Sequence, residues 1–434
     1  MPELQTEVRA ERATTLEILD GLFGGYSPRD FAVRLWDGTT REPDPGQPAR
    51  FTLVVAHPGA LRSAVTGSES LELGLSQAYL ARHLDVEGDL EAIFPLVQHL
   101  LDERKLTRRD KLWLARRVRT LPQASPNGAP APVKLRGPRL SLSRAKNAIS
   151  YHYDLPAEFF ELFLDGRMTY SCAYYVSEDE DLDTAQERKL ELVCRKLRLR
   201  HGERLLDVGC GWGSLILYAA ERHGVDSVGI TLSEVQAATV RKRAEEAGLA
   251  ERIEVRVADY RELDEHESFD KVASVGMVEH VAEAGLVDFF ERLHRFLRPG
   301  GVFLLHGCGQ PVDVPRGRSS FSSSYVLPHT EVVPISTTLT AAETAGWEVR
   351  DVEAFRESYV LMAREWGRRL EANEAEIREL VGDVVYRAWR LGAAGVAYRH
   401  RTNRLSVFHM LLVKPDNGRS GLPLTRADWY AEPL

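Results

Sequence analysis

Residues 204–215 read Arg-Leu-Leu-Asp-Val-Gly-Cys-Gly-Trp-Gly-Ser-Leu, and this run decides the fold. Apolar residues from Leu205 to Val208 stop at Gly209, Gly211 and Gly213, and a helical pattern begins at Ser214. Where a strand turns into a helix through glycines, a parallel sheet can bring its backbone against a ligand, because glycine accepts unusual dihedrals and presents no side chain. The spacing is G-x-G-x-G. A dinucleotide loop has G-x-G-x-x-G and an acid closing the second strand; here that strand closes Ile230-Thr231-Leu232. A P-loop needs G-K-[ST], which the run lacks. The alternative is a tight strand-to-helix turn with no ligand.

The flanking pattern favours the ligand. RLLDVGC, DSVGIT, IEVRVADY, FDKVASVGM and GVFLLHG read as strands. SLILYAAERHG, SEVQAATVRKRAEEAG, LVDFFERLHRFLRPG and STTLTAAETAG read as helices, and RLSVFHMLLVK is a further strand. Alternating strands and helices imply an α/β, doubly wound, mostly parallel sheet with helices on both faces. A loop of this kind without a phosphate cradle suits S-adenosylmethionine. Asp259 closes the third strand, where its carboxylate could accept from an adenine amine or simply cap a helix. Ser233-x-x-Gln236 matches a capping box, and Gln236 could contact a ribose instead.

The chain has 434 residues, so two domains are expected. Its composition, 44% hydrophobic and 28% charged, excludes collagen-like and wholly disordered chains. A net charge of −8 offers nucleic acid no general attraction, and no N/D-P-P-Y segment for a flipped base is present. Cys172, Cys194, Cys210 and Cys308 are far apart with no CxxC pair, so neither a metal site nor a disulfide framework is expected. The polar opening lacks the apolar stretch of a secretory signal, and no run of about 18 apolar residues occurs, so a cytoplasmic protein is expected. Prolines 122, 126, 130, 132 and 138 mark residues 121–145 as a linker. Residues 1–120, with FAVRLW and FTLVVAH as strands, form a smaller N-terminal α+β domain, and 146–434 the larger one. Within the latter, 309–335 and 358–393 are expected as insertions over the site.

Seven strings in order resemble the cyclopropane-fatty-acid synthase family of class I S-adenosylmethionine-dependent methyltransferases, over about residues 145–415. They are Ser150-Tyr151-His152-Tyr153-Asp154-Leu155, Met168-Thr169-Tyr170-Ser171-Cys172-Ala173-Tyr174, LLDVGCGWGSL, GITLSEVQ, SVGMVEHV, GGVFLLHG, and Tyr359 followed by Trp366. The resemblance implies a seven-stranded sheet and methyl transfer to the double bond of an unsaturated fatty acyl chain, usually in a phospholipid. It places cofactor contacts on Tyr170, Ser171, Gly209, Gly211, Leu232, Gln236, Asp259 and Tyr260. It implies a bicarbonate ion at Cys172, Glu279, His306 and Tyr359. Taken singly, Glu279 reads equally as a helix cap, His306 as a core histidine, Cys172 as a small hydrophobe and Tyr359 as packing.

An alkene has no proton to remove before it attacks, so the site must press it against the sulfonium methyl in the absence of water. Glu279 and tyrosine faces suit the resulting carbocation. Ring closure gives a cyclopropane; a hydride shift before proton loss gives an exocyclic methylene, and full reduction needs a separate reductase. The family's usual His-Thr-Ile-Gly is His306-Gly307-Cys308-Gly309 here, and YVLPHTEVVPISTTLTAAETAG and SGLPLTRADWY resemble actinobacterial members making 10-methylene, tuberculostearic-type acids. The methylene product is expected, with the cyclopropane as the alternative. A methyltransferase for a soluble small molecule and a noncatalytic lipid-binding protein are the rivals. Residues 104–119 carry Arg104, Lys105, Arg108, Arg109, Lys111, Arg116, Arg117 and Arg119 against Asp110 alone. Such a helix could lie on the anionic inner face of the membrane, a peripheral contact, or be a solvated face paired with acids. A homodimer is permitted.

Overall fold

The computed structural model describes residues 2–66, 68–104, 106–124, 132–133, 135–315 and 320–427, with side chains from residue 5. Of the expected linker, 125–131 and 134 lie outside the described residues, as does Lys105 of the basic segment and the end of the SGLPLTRADWY string. The chain divides into two compact units.

The first comprises Met1–Val133, Ser319–Val326 and Gly382–Tyr398, so two stretches from later in the sequence cluster with the N-terminal residues. Its four strands are β1 (Phe31–Leu35), β2 (Thr40–Arg41), β3 (Phe51–Val55) and β4 (Leu84–Gly88). They lie in the order β2-β1-β3-β4, with β1 and β3 parallel. In β3 alternate residues are buried, the period of a sheet with one covered face. Phe31 and Phe51 sit directly opposite and stack at 4.9 Å, where they anchor a core with Ile18, Leu22, Leu114 and Val118. Arg387 is 3% exposed; it donates to the carbonyl of Tyr79 and to Asp85, and lies over the Tyr79 ring.

The second unit comprises Lys134–Arg318, Leu327–Val381 and Arg399–Leu434. Its strands are β5 (Arg204–Val208), β6 (Asp226–Thr231), β7 (Ile253–Val257), β8 (Phe269–Val275), β9 (Leu297–Gly309), β10 (Glu348–Ala354) and β11 (Ser406–Val413). Their order is β10-β11-β9-β8-β5-β6-β7, parallel from β9 through β7, with β11 antiparallel to both its neighbours. This is the expected mostly parallel α/β sheet of seven strands. β5, β9 and β11 are buried on both faces and read as continuous apolar runs. Leu206, Val272, Phe289, Phe290, Phe296 and Phe303 lie at the centre of the largest core cluster, and Trp347 Nε1 donates to the carbonyl of Phe290 at 3.0 Å. Among the described residues, no helix is long and apolar enough to cross a membrane, no disulfide is formed, and no group of three or more His, Cys, Asp or Glu could hold a metal ion.

Candidate active site

Gly209, Gly211 and Gly213 all have positive φ, at 87°, 53° and 82°, and the helix Ser214–His223 starts directly after them. They differ in what surrounds them. A Cβ on Gly209 would meet Met277, and one on Gly213 would meet Val240 at 2.7 Å; one on Gly211 would meet no protein atom within 4 Å. The first two glycine positions are therefore fixed by the fold itself, and the third faces open space. That space belongs to a cavity of about 400 Å3. Its walls include all eight expected cofactor residues, Tyr170, Ser171, Gly209, Gly211, Leu232, Gln236, Asp259 and Tyr260, brought together from four separate stretches of sequence.

Two of these eight also have local roles. Asp259 caps the turn Tyr260–Glu262 by accepting from the amide of Arg261, and its two oxygens take the Arg261 guanidinium at 2.7 and 2.6 Å. A carboxylate has about four lone-pair directions, so capping and a further ligand are compatible. The capping box at 233–236 is half made. Ser233 accepts from the Gln236 amide, whereas Gln236 Oε1 accepts from the Thr231 hydroxyl at 2.7 Å. The Ser233 hydroxyl donates onward to Asp154 of the Ser150–Leu155 string.

Sequence reasoning missed two buried charge-bearing residues on the same cavity, Lys189 and Asp207. Lys189 Nζ donates to Ser171 Oγ at 2.7 Å, and burial brings the lysine down to about 8. Burial raises Asp207 to about 7, with Lys189 pulling the other way, and Asp207 Oδ1 has no hydrogen-bond partner among the described residues. A buried polar atom without a partner is costly, so this one suits a ligand that donates to it. A carboxyl whose pKa is raised on folding stabilises the fold fully below the ordinary 3.8 and loses that contribution as the pH climbs to about 7. The melting temperature of the cofactor-free protein should therefore fall, relative to Asp207→Asn, between about pH 4 and about pH 7. A difference that stays level across that range in thermal unfolding would contradict this.

A second cluster adjoins the cavity. Glu279 lies in the turn Val278–His280 after β8 and is 8% exposed. Burial raises its pKa, against hydrogen bonds that include the amide of Cys308. Its other oxygen, Oε2, has no partner among the described residues. Burial pushes the Cys308 thiol well above its ordinary range, with Glu279 and Cys172 adding to the effect. The Tyr359 phenol is likewise raised, first by burial and then by Cys308, Tyr170, Cys172 and Glu279. Cys172, Glu279 and Tyr359 are thus within electrostatic reach of one another, with Tyr170 shared by the cavity wall. Tyr359 stacks face to face on His400 at 3.9 Å. The Cys172 thiol is fully buried and donates to the carbonyl of Ala173.

His306 is placed differently. Its Nδ1 lies 2.9 Å from Nε2 of His409, its cross-strand neighbour on β11, and both rings pack edge-on to Phe355. His280, read in the sequence only as part of a cap, lines the cavity with Nδ1 lacking a partner among the described residues, and burial lowers it to about 4. The residues present fit both implied groups. The open space at Gly211 and the lone Asp207 oxygen suit a small zwitterionic ligand, and the unpaired oxygen of a carboxyl raised in pKa suits a small anion to which it can donate.

The description mycolic acid cyclopropane synthetase matches residues 140–410, more than half of the sequence. The chain belongs to this family. It is 36% identical over 406 residues to a probable fatty acid methyltransferase of Pseudomonas putida, with 92% of this chain and 95% of the relative covered. It is 34% identical over 445 residues to a probable fatty acid methyltransferase of Mycobacterium tuberculosis, covering 96% and 98%. Among solved structures, a cyclopropane synthase from Mycobacterium tuberculosis superposes with a TM-score of 0.58 at 30% identity, over 62% of this chain and 97% of the other. A mycolic acid cyclopropane synthase complexed with SAH and CTAB gives the same TM-score, identity and coverage.

Proposed function

We propose that this chain is an S-adenosylmethionine-dependent methyltransferase that adds a methyl-derived carbon to the double bond of an unsaturated fatty acyl chain, oleoyl within a phospholipid, and yields a 10-methylene branch. The observation that carries the reading is that a glycine-walled cavity meets a desolvated Cys172–Glu279–Cys308–Tyr359 cluster at Tyr170. The names of the relatives and the SAH complex, which holds the demethylated donor, support the cofactor and the acyl substrate class. S-adenosylmethionine would supply the methyl group and bicarbonate the base, the first held by the eight cavity residues and the second by Cys172, Glu279, His306 and Tyr359.

The protein's own contributions follow from burial. A thiolate beside a methyl donor would be methylated itself, and burial keeps Cys172 and Cys308 protonated. Tyr170 stacks with Trp366 at 5.2 Å, offering aromatic faces to a cationic acyl chain and excluding water that would quench it. Two anions side by side are costly, so Glu279, already raised in pKa, shares a proton with any anion it binds. For the product, Gly307 is informative: a Cβ there would lie 2.5 Å from Val278 Cγ1, next to Glu279. A threonine at 307 would press its Cβ into Val278, the residue before Glu279 in that turn. We read this as re-siting proton removal toward a hydride-shifted cation, and thus toward methylene rather than ring. Lipids from a host expressing the protein should gain about 14 mass units, one CH2, in unsaturated acyl chains, with olefinic methylene signals by NMR. Cyclopropyl signals would establish the alternative product, and acyl binding without mass gain would sink the enzymatic reading.

The substrate class implies contact with a bilayer. Helix Arg108–Thr120 buries Leu114 and Val118 and leaves Leu112 exposed at 53%. Arg108, Arg109, Lys111, Arg116 and Arg119 are exposed, Asp110 is occupied in a capping box with Thr107, and Arg117 pairs with Glu17. Charges near an anionic surface contribute on the order of 1 kcal/mol each, so Arg109→Ala with Arg116→Ala should weaken partition onto anionic vesicles by about thirtyfold at low salt. Equal sedimentation with neutral and anionic vesicles would refute the contact.

A further inference from the structure

The imidazoles of His306 and His409 face each other Nδ1 to Nε2 at 2.9 Å, in register on adjacent antiparallel strands. One must donate and the other accept, and both are buried, at 2% and 0% exposure. Burial, with the charges of Lys189 and Lys196, disfavours protonating either ring further, so both remain neutral. Each neutral ring then has one N–H and one lone pair, and only two arrangements close the contact.

In the first, His306 Nδ1 donates. His409 must then carry its proton on Nδ1, an atom with no partner among the described residues, which buries an unmatched N–H. Both rings would also hold the less favoured tautomer of neutral histidine. In the second, His409 Nε2 donates to His306 Nδ1. At His409 the unmatched atom is then only a lone pair, both rings hold the commoner Nε2–H form, and the Nε2–H of His306 is the donor left for a ligand. Unmatched buried N–H groups are the rarer and costlier defect.

We infer that His409 is a positioning residue that locks His306 in the Nε2–H tautomer, so that His306 serves as a hydrogen-bond donor to a bound oxyanion and never as the base. This rests on the proposed function for its meaning, and on the paired rings for its evidence. His306 stands two residues before Cys308, so on β9 the two side chains share one face, and the Cys308 amide is already taken by Glu279. Phe355 fixes the inclination of both rings from the side. Ring nitrogens on histidines at reactive sites are set by the partner on the other nitrogen, and losing such a partner costs about tenfold to a hundredfold.

The test is long-range proton–nitrogen NMR on the full-length protein labelled with nitrogen-15 at histidine, with His306→Asn to assign its signals. His306 should show an unprotonated Nδ1 and a protonated Nε2. His409→Gln, whose side-chain amide can donate in place of Nε2–H, should keep that pattern and keep turnover within about threefold, whereas His409→Phe should mix the tautomers and lower turnover by about tenfold or more. A protonated Nδ1 on wild-type His306 overturns the inference, whatever the variants do. So does a His409→Phe protein that keeps both the pattern and the turnover. If the protein transfers no methyl group to lipid, the function falls while the tautomer reading stands.

Discussion

Glu279→Gln is expected to lower turnover on oleoyl phospholipid by about three orders of magnitude while leaving the dissociation constant for S-adenosylhomocysteine within about twofold. The substitution keeps shape and burial, so the amide of Cys308 still finds an acceptor in the glutamine carbonyl. What it removes is a group that can exchange a proton and carry charge: Glu279 Oε2 is partnerless, and an amide nitrogen there cannot release its hydrogen. The cofactor cavity would keep its shape, because Glu279 is not among the residues that line it. Steady-state lipid methylation and calorimetric cofactor binding measure the two halves. Turnover within tenfold of wild type would remove Glu279 from proton handling, and a parallel loss of cofactor affinity would make it a structural residue. His306→Ala should follow the same split.

Gly211→Val is expected to weaken S-adenosylhomocysteine binding by about a hundredfold, with a smaller drop in melting temperature than Gly213→Val. Three glycines form the loop, and only this one separates ligand from fold. At Gly209 and Gly213 a side chain collides with Met277 or Val240, so a substitution there damages packing and cofactor site together. At Gly211 a side chain enters the cavity and meets no protein atom within 4 Å. Its φ of 53° lies in the left-handed region, which costs a β-branched side chain about 2 kcal/mol of backbone strain, without the packing clash that Gly213→Val adds. Unchanged affinity would show that the cavity does not hold the cofactor at this loop. A collapse of stability as large as that of Gly213→Val would show that the open space is part of the packed fold.

Six strands of the larger sheet were legible, five as buried runs bounded by glycines or charges and β7, which buries only Val255, by its alternating Ile-Glu-Val-Arg-Val pattern. β10 was not, because Glu-Val-Arg-Asp-Val-Glu-Ala alternates charge with small apolar residues on an edge where no residue is fully buried. β4 escaped for the same reason, with Asp and Glu between Leu84 and Gly88. The helix Pro2–Phe23 was passed over because its apolar residues concentrate in the last turns, at Ile18, Leu19, Leu22 and Phe23. The loop glycines and the strings around Tyr170, Gln236 and Glu279 could be read because short motifs carry them. Lys189 could not, since a lysine in an amphipathic helix looks solvated; its burial at 1% exposure is a tertiary fact. His409 did leave a trace, as the one polar residue inside Val-Phe-His-Met-Leu-Leu-Val, and a histidine in a doubly buried strand needs a partner.

Strand β11 lies between β9 and β10, yet it is the last strand of its sheet to leave the ribosome. Until residues 406–413 have been made, one flank of β9 lacks its hydrogen-bonding neighbour and His306 lacks His409. Completion of the sheet and completion of the paired imidazoles therefore fall in the same late step of synthesis.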